Sequence, residues 1–447
     1  MHNKFNKLSL AVALASTALI ASQVSASGFQ VREQSAKTLA NALSNATAGA
    51  EDASFMAYNP AAIGNIDGNQ VVGGVAYIDA NFELQDAEAS SLGGVVNYDR
   101  GGSREGGETA VVPAFAAKTQ LNEQFDLGLA IYAPYGLSTK YDEDWIGRYH
   151  AVETELTTID FQPTLNYRAT ERLNLAVGLR AQYADATLSN ASDFGSLAFR
   201  AGDPRATPGQ NDVIGEVTGD DWGYGYTLGT LFQVTDQTRL GVSYRSEIDL
   251  TLDGELDVRG TDPLSDGAIA AGRVTGTGGK AELTTPANLN LGIYHQLTDR
   301  LALMANAEWT EWSSFDELVV EFEDGRDPSR TEENWDDTWA FSVGANYALT
   351  PQWLLRAGLG VDESPVPSAE YRTPRVPDAD RQWATFGATW MPSPELGITA
   401  GYMHVFADDG DIDQQATATN ENASRGNLSG TYEVSADVFA LSVDYRF

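Results

Sequence analysis

The chain has 447 residues, 63 of them acidic and 28 basic, for a formal net charge of −35. That surplus excludes a nucleic-acid-binding protein, which needs a basic footprint. The lack of cysteine excludes disulfides, thiolate metal sites and cysteine nucleophiles. The acidic balance suits outward loops that sit near divalent cations, or a salty habitat in which repulsion is screened.

The N-terminus reads as a secretory signal over residues 1–26. His2, Lys4 and Lys7 form a short basic start, Leu8–Ile20 is an apolar or small-residue run, and Val24-Ser25-Ala26 is a cleavage site. The run is too short to span a bilayer as a mature helix, and no later segment offers a span of helical length. A secreted chain of this kind is either soluble or a β-barrel.

Residues 27–66 are small and polar, with Leu39, Ala42, Leu43, Ala46 and Ala50 scattered among them and Asn59-Pro60-Ala61 near the end. This is compact helix-and-turn material, too polar to face lipid but able to fill a lumen. A plug is predicted, with a flexible periplasmic tail as the plainer alternative.

From residue 67 to 447 the pattern changes to strands of period two. Leu173, Leu175, Val177 and Leu179 alternate with Asn174, Ala176, Gly178 and Arg180. Trp339, Phe341, Val343, Ala345 and Tyr347 alternate with small or polar partners, and the chain ends on Phe439, Leu441, Val443, Tyr445 and Phe447. One face of each strand is apolar and the other wet, and nine residues match a tilted transmembrane strand. Tight turns near residues 122–124, 170–172, 235–237, 298–300, 350–352 and 392–394 alternate with seven longer Gly/Asp/Ser-rich connections. Short periplasmic turns and long outer loops are the rule in outer-membrane barrels, and this arrangement gives fourteen antiparallel strands. Tyr and Trp near strand ends suit interfacial girdles. A single barrel also accounts for the length without linkers.

Two local features follow. The third strand, Phe125–Thr139, carries Pro134-Tyr135-Gly136 in mid-sequence, where Pro withholds an N–H and Gly permits unusual dihedrals, so its pairing is predicted to break. In the last strand the phase reverses upstream of Phe439, where Val434, Ala436 and Val438 alternate against Glu433, Ser435 and Asp437. That reversal predicts a bulge.

Gly28-Phe29-Gln30, Asn59-Pro60-Ala61, Tyr244-Arg245-Ser246-Glu247, Trp312-Ser313-Ser314-Phe315, Asp362-Glu363-Ser364-Pro365-Val366-Pro367 and Pro377-Asp378-Ala379-Asp380-Arg381 occur in this order. In these motifs the chain resembles the FadL family of outer-membrane transporters for long-chain fatty acids and other hydrophobic compounds. The resemblance implies a fourteen-stranded barrel with an N-terminal helical hatch, gated by Gly28, Phe29, Asn59, Pro60 and Ala61. It also implies ligand capture by outer loops and lateral exit into outer-membrane lipids at Pro134, Tyr135 and Gly136. In the family's fatty-acid transporter, basic residues near the inner pocket meet the carboxylate. Here the corresponding stretches, Tyr183-Ala184-Asp185-Ala186 and Trp335-Asp336-Asp337-Thr338, are acidic. Head-group recognition would then fall to Arg180, Arg356 or Arg381, or the cargo is a neutral aromatic or alkane.

Other readings are weaker. Asp408–Asp413 has oxygen ligands but not a full Ca²⁺ loop. Gly276–Lys280 lacks the Ser/Thr and helix of a phosphate loop. His150, His295 and His404 stand apart, without the serine motif that an outer-membrane lipase needs. A general porin would need an open lumen. The expectation is a monomeric, non-enzymatic transporter of the Gram-negative outer membrane, without cofactor, metal or nucleic acid, passing long-chain fatty acids or similar hydrophobic molecules down their gradient.

Overall fold

Period-two alternation over most of the chain produces one closed antiparallel ring of fourteen strands in the computed structural model, which describes residues 28–447. The predicted secretory signal, residues 1–26, lies outside the described residues. Counted in chain order, strands one to six are Gln70–Ser90, Thr109–Gln120, Phe125–Tyr132 with Gly136–Lys140, Glu153–Thr170, Leu173–Ser192 and Val213–Thr235. Strands seven to ten are each split in two: Thr238–Arg245 with Ile248–Gly260, Thr277–Thr285 with Asn288–Gln296, Leu301–Thr310 with Glu317–Phe322, and Ser329–Glu332 with Thr338–Thr350. Strands eleven to fourteen are Trp353–Asp362, Arg381–Ser393, Leu396–Ala407 with Gly410–Gln414, and Asn427–Arg446. The first and last strands pair from Gln70↔Arg446 to Ser90↔Asn427, which closes the ring and removes both sheet edges.

No helix among the described residues is long and apolar enough to cross a membrane. The strands carry the lipid contact instead. Val75, Tyr77, Leu165, Leu175, Val177, Leu228, Val343 and Leu441 all point outward and are exposed, an apolar belt far beyond what a soluble monomer shows. Aromatic pairs rim the tight-turn end, with Phe125 stacked on Tyr167 at 5.1 Å and Trp353 on Trp390 at 6.2 Å. Tyr183 and Trp222 mark the other rim at 5.3 Å.

Higher up, the two faces of the wall exchange character. On the first strand Ala76, Ile78, Ala80, Phe82 and Leu84 are buried inside, while Asp79 and Asn81 face out. On the last strand Val438 is buried in the same interior cluster, with Val434 and Ala436 packed against it. The predicted bulge near residue 438 is absent. Register runs unbroken from Arg446 to Thr431, and the irregularity comes only between Gln85 and Glu88. The apparent phase reversal is a change of environment: above the bilayer the outside is wet, and the upper lumen is apolar. For the same reason the strands run on above the belt, the first continuing to Ser90.

Residues 28–66 lie inside the ring and are almost wholly buried. A short helix, Ala36–Leu39, is followed by two 3₁₀ turns, Ala53–Ala57 and Pro60–Asn65. Ion pairs hold this segment to the wall. Lys37 bridges Asp52 and Asp444 at 2.8 Å each, Arg356 clasps Glu51 with its closest contact at 2.5 Å, and Arg32 reaches Asp362 at 3.0 Å. With the wall's inward Gly229, Gly241, Gly344 and Gly358 offering no Cβ, the segment's backbone comes against the strands.

Candidate functional site: a window in the wall

The third strand stops at Tyr132 and resumes at Gly136. Its ladder to the second strand ends at Phe115↔Ile131. The next bond between these neighbours is the Lys140 amide donating to the Gly106 carbonyl at 3.0 Å. Between those points, residues 107–114 and 132–139 face each other without a backbone hydrogen bond. Pro134 has no N–H to give, and Pro113 likewise withholds one from the second strand. The fourth strand supports the break instead: the Thr158 hydroxyl accepts from the Tyr135 amide at 2.9 Å and donates to the Tyr135 carbonyl at 2.6 Å.

The N-terminal segment covers this window from within. The Gly136 amide donates to the Phe29 carbonyl at 2.8 Å, and the Val31 amide to the Pro134 carbonyl at 2.9 Å. Gln30 and Tyr135 form an antiparallel bridge between them. The Phe29 ring fills an aromatic cage, with Trp312, Phe315, Trp335 and Tyr135 at centroid distances of 4.8, 5.3, 5.7 and 5.9 Å. Edge-to-face contacts dominate, the arrangement that ring quadrupoles favour. Gly28 has φ +58°, and a Cβ there would stand 2.6 Å from Trp335, so this position needs glycine. Its amide donates to Asp378 Oδ2 at 3.1 Å, joining the cage to the outer connection 363–380.

Asn59, Pro60 and Ala61 lie elsewhere, against the sixth strand. Asn59 caps the second 3₁₀ turn by accepting from the Ala61 amide at 3.0 Å, and it donates to the Thr230 carbonyl at 3.1 Å. Gly28 and Phe29 are thus brought to Pro134, Tyr135 and Gly136, and Asn59–Ala61 is not. The three arginines also occupy separate places, each with a carboxylate. Arg180 meets Asp160 at 2.6 Å, Arg356 meets Glu51, and Arg381 meets Asp378.

The acidic stretches do not line the chamber. Ala184 and Ala186 take the inward positions of the fifth strand, which sends Asp185 outward beside Asp220. Asp336 and Asp337 are exposed, while Trp335 points in. Nothing in the sequence gives Trp312-Ser313-Ser314-Phe315 a role or singles out Arg375, and Trp335 stands there only as the head of an acidic stretch. The irregular backbone at Trp312–Ser314, between two halves of a strand, is the signal that places these rings inside.

Above the window the interior is apolar. Leu137, Leu156, Ala184, Leu250, Leu283 and Val376 pack with Phe29 and its cage in one cluster. Among the described residues the histidines form no centre. His150 is buried under the outer connections, His295 bonds the Thr238 hydroxyl at 2.9 Å, and His404 meets Asp437 at 2.7 Å on the outer face. Asp411 and Asp413 alternate with inward Ile412 on a strand, and Lys280 pairs with Asp253 at 2.9 Å on another.

Comparison with known proteins matches residues 17–447 to the family described as outer membrane protein transport protein (OMPP1/FadL/TodX). A 47 kDa outer membrane protein of Pasteurella multocida is 30% identical over 455 residues, covering 100% of this chain and 99% of that one. The long-chain fatty acid transport protein of an Escherichia coli O6:H1 strain is 29% identical over 420 residues, 90% of this chain and 91% of its own. The crystal structure of a Pseudomonas aeruginosa FadL homologue superposes with a TM-score of 0.82 at 28% identity, covering 94% of this chain and 100% of that one. Closed barrel, inner segment and full-length match agree: the chain is a Gram-negative outer-membrane β-barrel and belongs to the OMPP1/FadL/TodX family of transport proteins.

Proposed function

We propose that this protein carries long-chain fatty acids across the outer membrane and releases them sideways into the bilayer, with residues 27–66 as the hatch. The observation that carries the reading is the unpaired window between the second and third strands, covered from inside by Phe29–Val31. A barrel wall without ladder bonds over this length is costly in lipid unless the opening serves passage. A long acyl chain leaving through it gains ~0.8 kcal/mol for each CH₂ kept out of water. Leu197 and Phe199, exposed on a short helix of the outer connection 193–212, support capture at the surface. The apolar upper chamber then supplies the next resting place, and movement follows the gradient. Ring closure within one chain supports a monomer in outer-membrane lipid.

Gly136→Trp tests the exit. A correctly inserted variant is expected to lose uptake of labelled oleate by intact cells, and undiminished uptake would sink lateral exit. A second reading, neutral aromatic or alkane cargo, is favoured by the carboxylate partners of Arg180, Arg356 and Arg381, which leave those cations already neutralised. Competition between oleate and toluene for the purified protein separates the two cargoes.

A further inference from the structure

Under the outer connections lies a second cation cluster that none of the preceding roles uses. Arg375 is 7% exposed, yet among the described residues it has no carboxylate ion pair. Its hydrogen bonds leave from Nη1 alone, to the Thr154 hydroxyl at 3.1 Å and weakly to the Glu153 carbonyl at 3.5 Å. Guanidinium has five N–H donors in a fork that fits a carboxylate, and those on Nε and Nη2 take no hydrogen bond to the described residues. The backbone fixes the group in place: the Arg375 carbonyl accepts from the Thr139 hydroxyl at 3.2 Å, and the Pro374 carbonyl from Tyr141 at 3.1 Å.

Burial and neighbouring Arg425 push Arg375 down to about 10, with Glu333 opposing them. Glu333, which accepts from Trp335 Nε1 at 3.2 Å, is pushed up to about 8, chiefly by burial and against the opposing pull of Arg375, with which it makes no ion pair among the described residues. Buried His150 is pushed down to about 3, chiefly by burial, and stays neutral. Glu421 is occupied by Arg425 at 3.7 Å. The fork is left open next to Val376, which packs with Leu137, Leu156 and Trp335 in the apolar cluster. Buried cations without partners are strongly disfavoured, so a site that keeps one is suited to an incoming anion.

We propose that Arg375, with the Thr154 hydroxyl beside it, receives the carboxylate of an anionic amphiphile whose tail lies across Leu137, Leu156 and Val376 toward the Trp335 cage. This deepens the transport reading and rests on it. Arg375 is a specificity residue: it selects acids over neutral molecules of the same length.

The test is binding of oleate and of oleyl alcohol to the full-length protein in detergent, for wild type, Arg375→Gln and Arg375→Lys. Loss of a charge-assisted pair is expected to weaken oleate in Arg375→Gln by roughly tenfold to a hundredfold. Oleyl alcohol is expected to bind unchanged, and Arg375→Lys to recover part of the oleate affinity. Equal weakening of both ligands would make Arg375 a packing residue and overturn the proposal, as would unchanged oleate binding. Wild type that binds neither ligand would refute the transport reading itself, a result distinct from either.

Discussion

The Gly136 amide finds its acceptor in the Phe29 carbonyl, 2.8 Å away, where an ordinary barrel would supply one from the neighbouring strand. The wall and the segment inside it are therefore joined where the ladder between the second and third strands is interrupted. In the proposed transport cycle, releasing Phe29 would break this bond and uncover the window in the same movement.

Phe29→Ala is the direct test of that coupling. The ring is 2% exposed and held by four aromatic neighbours, so truncation removes about 3–5 kcal/mol of local packing. The ring of fourteen strands does not depend on it. The variant is expected to keep the heat-modifiable gel shift of a folded barrel while showing ion conductance in planar bilayers that wild type lacks. A barrel as silent as wild type would show that the cage does not keep the lumen closed.

Glu51 gives the seal a pH limit. Burial would raise its carboxyl, but the Arg356 guanidinium more than reverses this and holds it at about 2, below the ordinary value of 4.5. A carboxyl depressed in the folded state contributes stability that is complete above its unfolded pKa and is lost as pH falls through the folded one. The inner segment is thus expected to stay docked at pH 5 and to loosen only as pH approaches about 2. Glu51→Gln should loosen it at neutral pH, leaving Arg356 without its carboxylate. Conductance recorded across this range reads both effects.

Asp212 organises the outer connections. It accepts from Arg148 Nε at 2.8 Å, from the Tyr149 hydroxyl at 2.7 Å and from Arg100 at 3.1 Å, and it is fully buried. Arg148 also donates to the carbonyls of Tyr98 and Gly209, so three connections meet on one pair. Asp212→Ala leaves a buried cation alone, a change that costs about 3–5 kcal/mol. The expected result is rapid trypsin cleavage at exposed Arg200 or Arg205 on whole cells, with the barrel intact. Resistance equal to wild type would mean the loops are held by other contacts.

Strand number and turn positions were legible because lipid outside and a wet lumen inside impose period two, and a terminal run such as Phe439–Phe447 reads it without ambiguity. The broken third strand was legible for the same local reason, since proline cannot donate wherever it stands. What sequence could not supply was the partner across the break. Phe29 and Tyr135 are neighbours only because the ring folds around the inner segment. Arg375 was hidden likewise: Arg180 and Arg356, on strands, seemed free until Asp160 and Glu51 were placed beside them, whereas Arg375 sits in an irregular connection that has no periodicity to read. Alternation also misled where its meaning changes, as at Val438, which is apolar because the upper chamber is apolar.

That change of meaning can be located by mutation on a single face of the last strand. Leu441 and Ser435 both point outward, six residues apart, Leu441 within the apolar belt and Ser435 beyond the level of Asp437. An arginine on the lipid face costs about 2–4 kcal/mol at mid-bilayer and about 0–1 kcal/mol near an interface. Leu441→Arg is therefore expected to lower the midpoint of denaturant unfolding in lipid vesicles clearly, and Ser435→Arg to leave it almost unchanged. The inward control runs the other way: Val438→Arg buries a charge among Ile78, Ala110 and Met403 and should destabilise although it touches no lipid. Equal penalties at Leu441 and Ser435 would place the upper wall inside the membrane, and the exchange of faces would then need another cause.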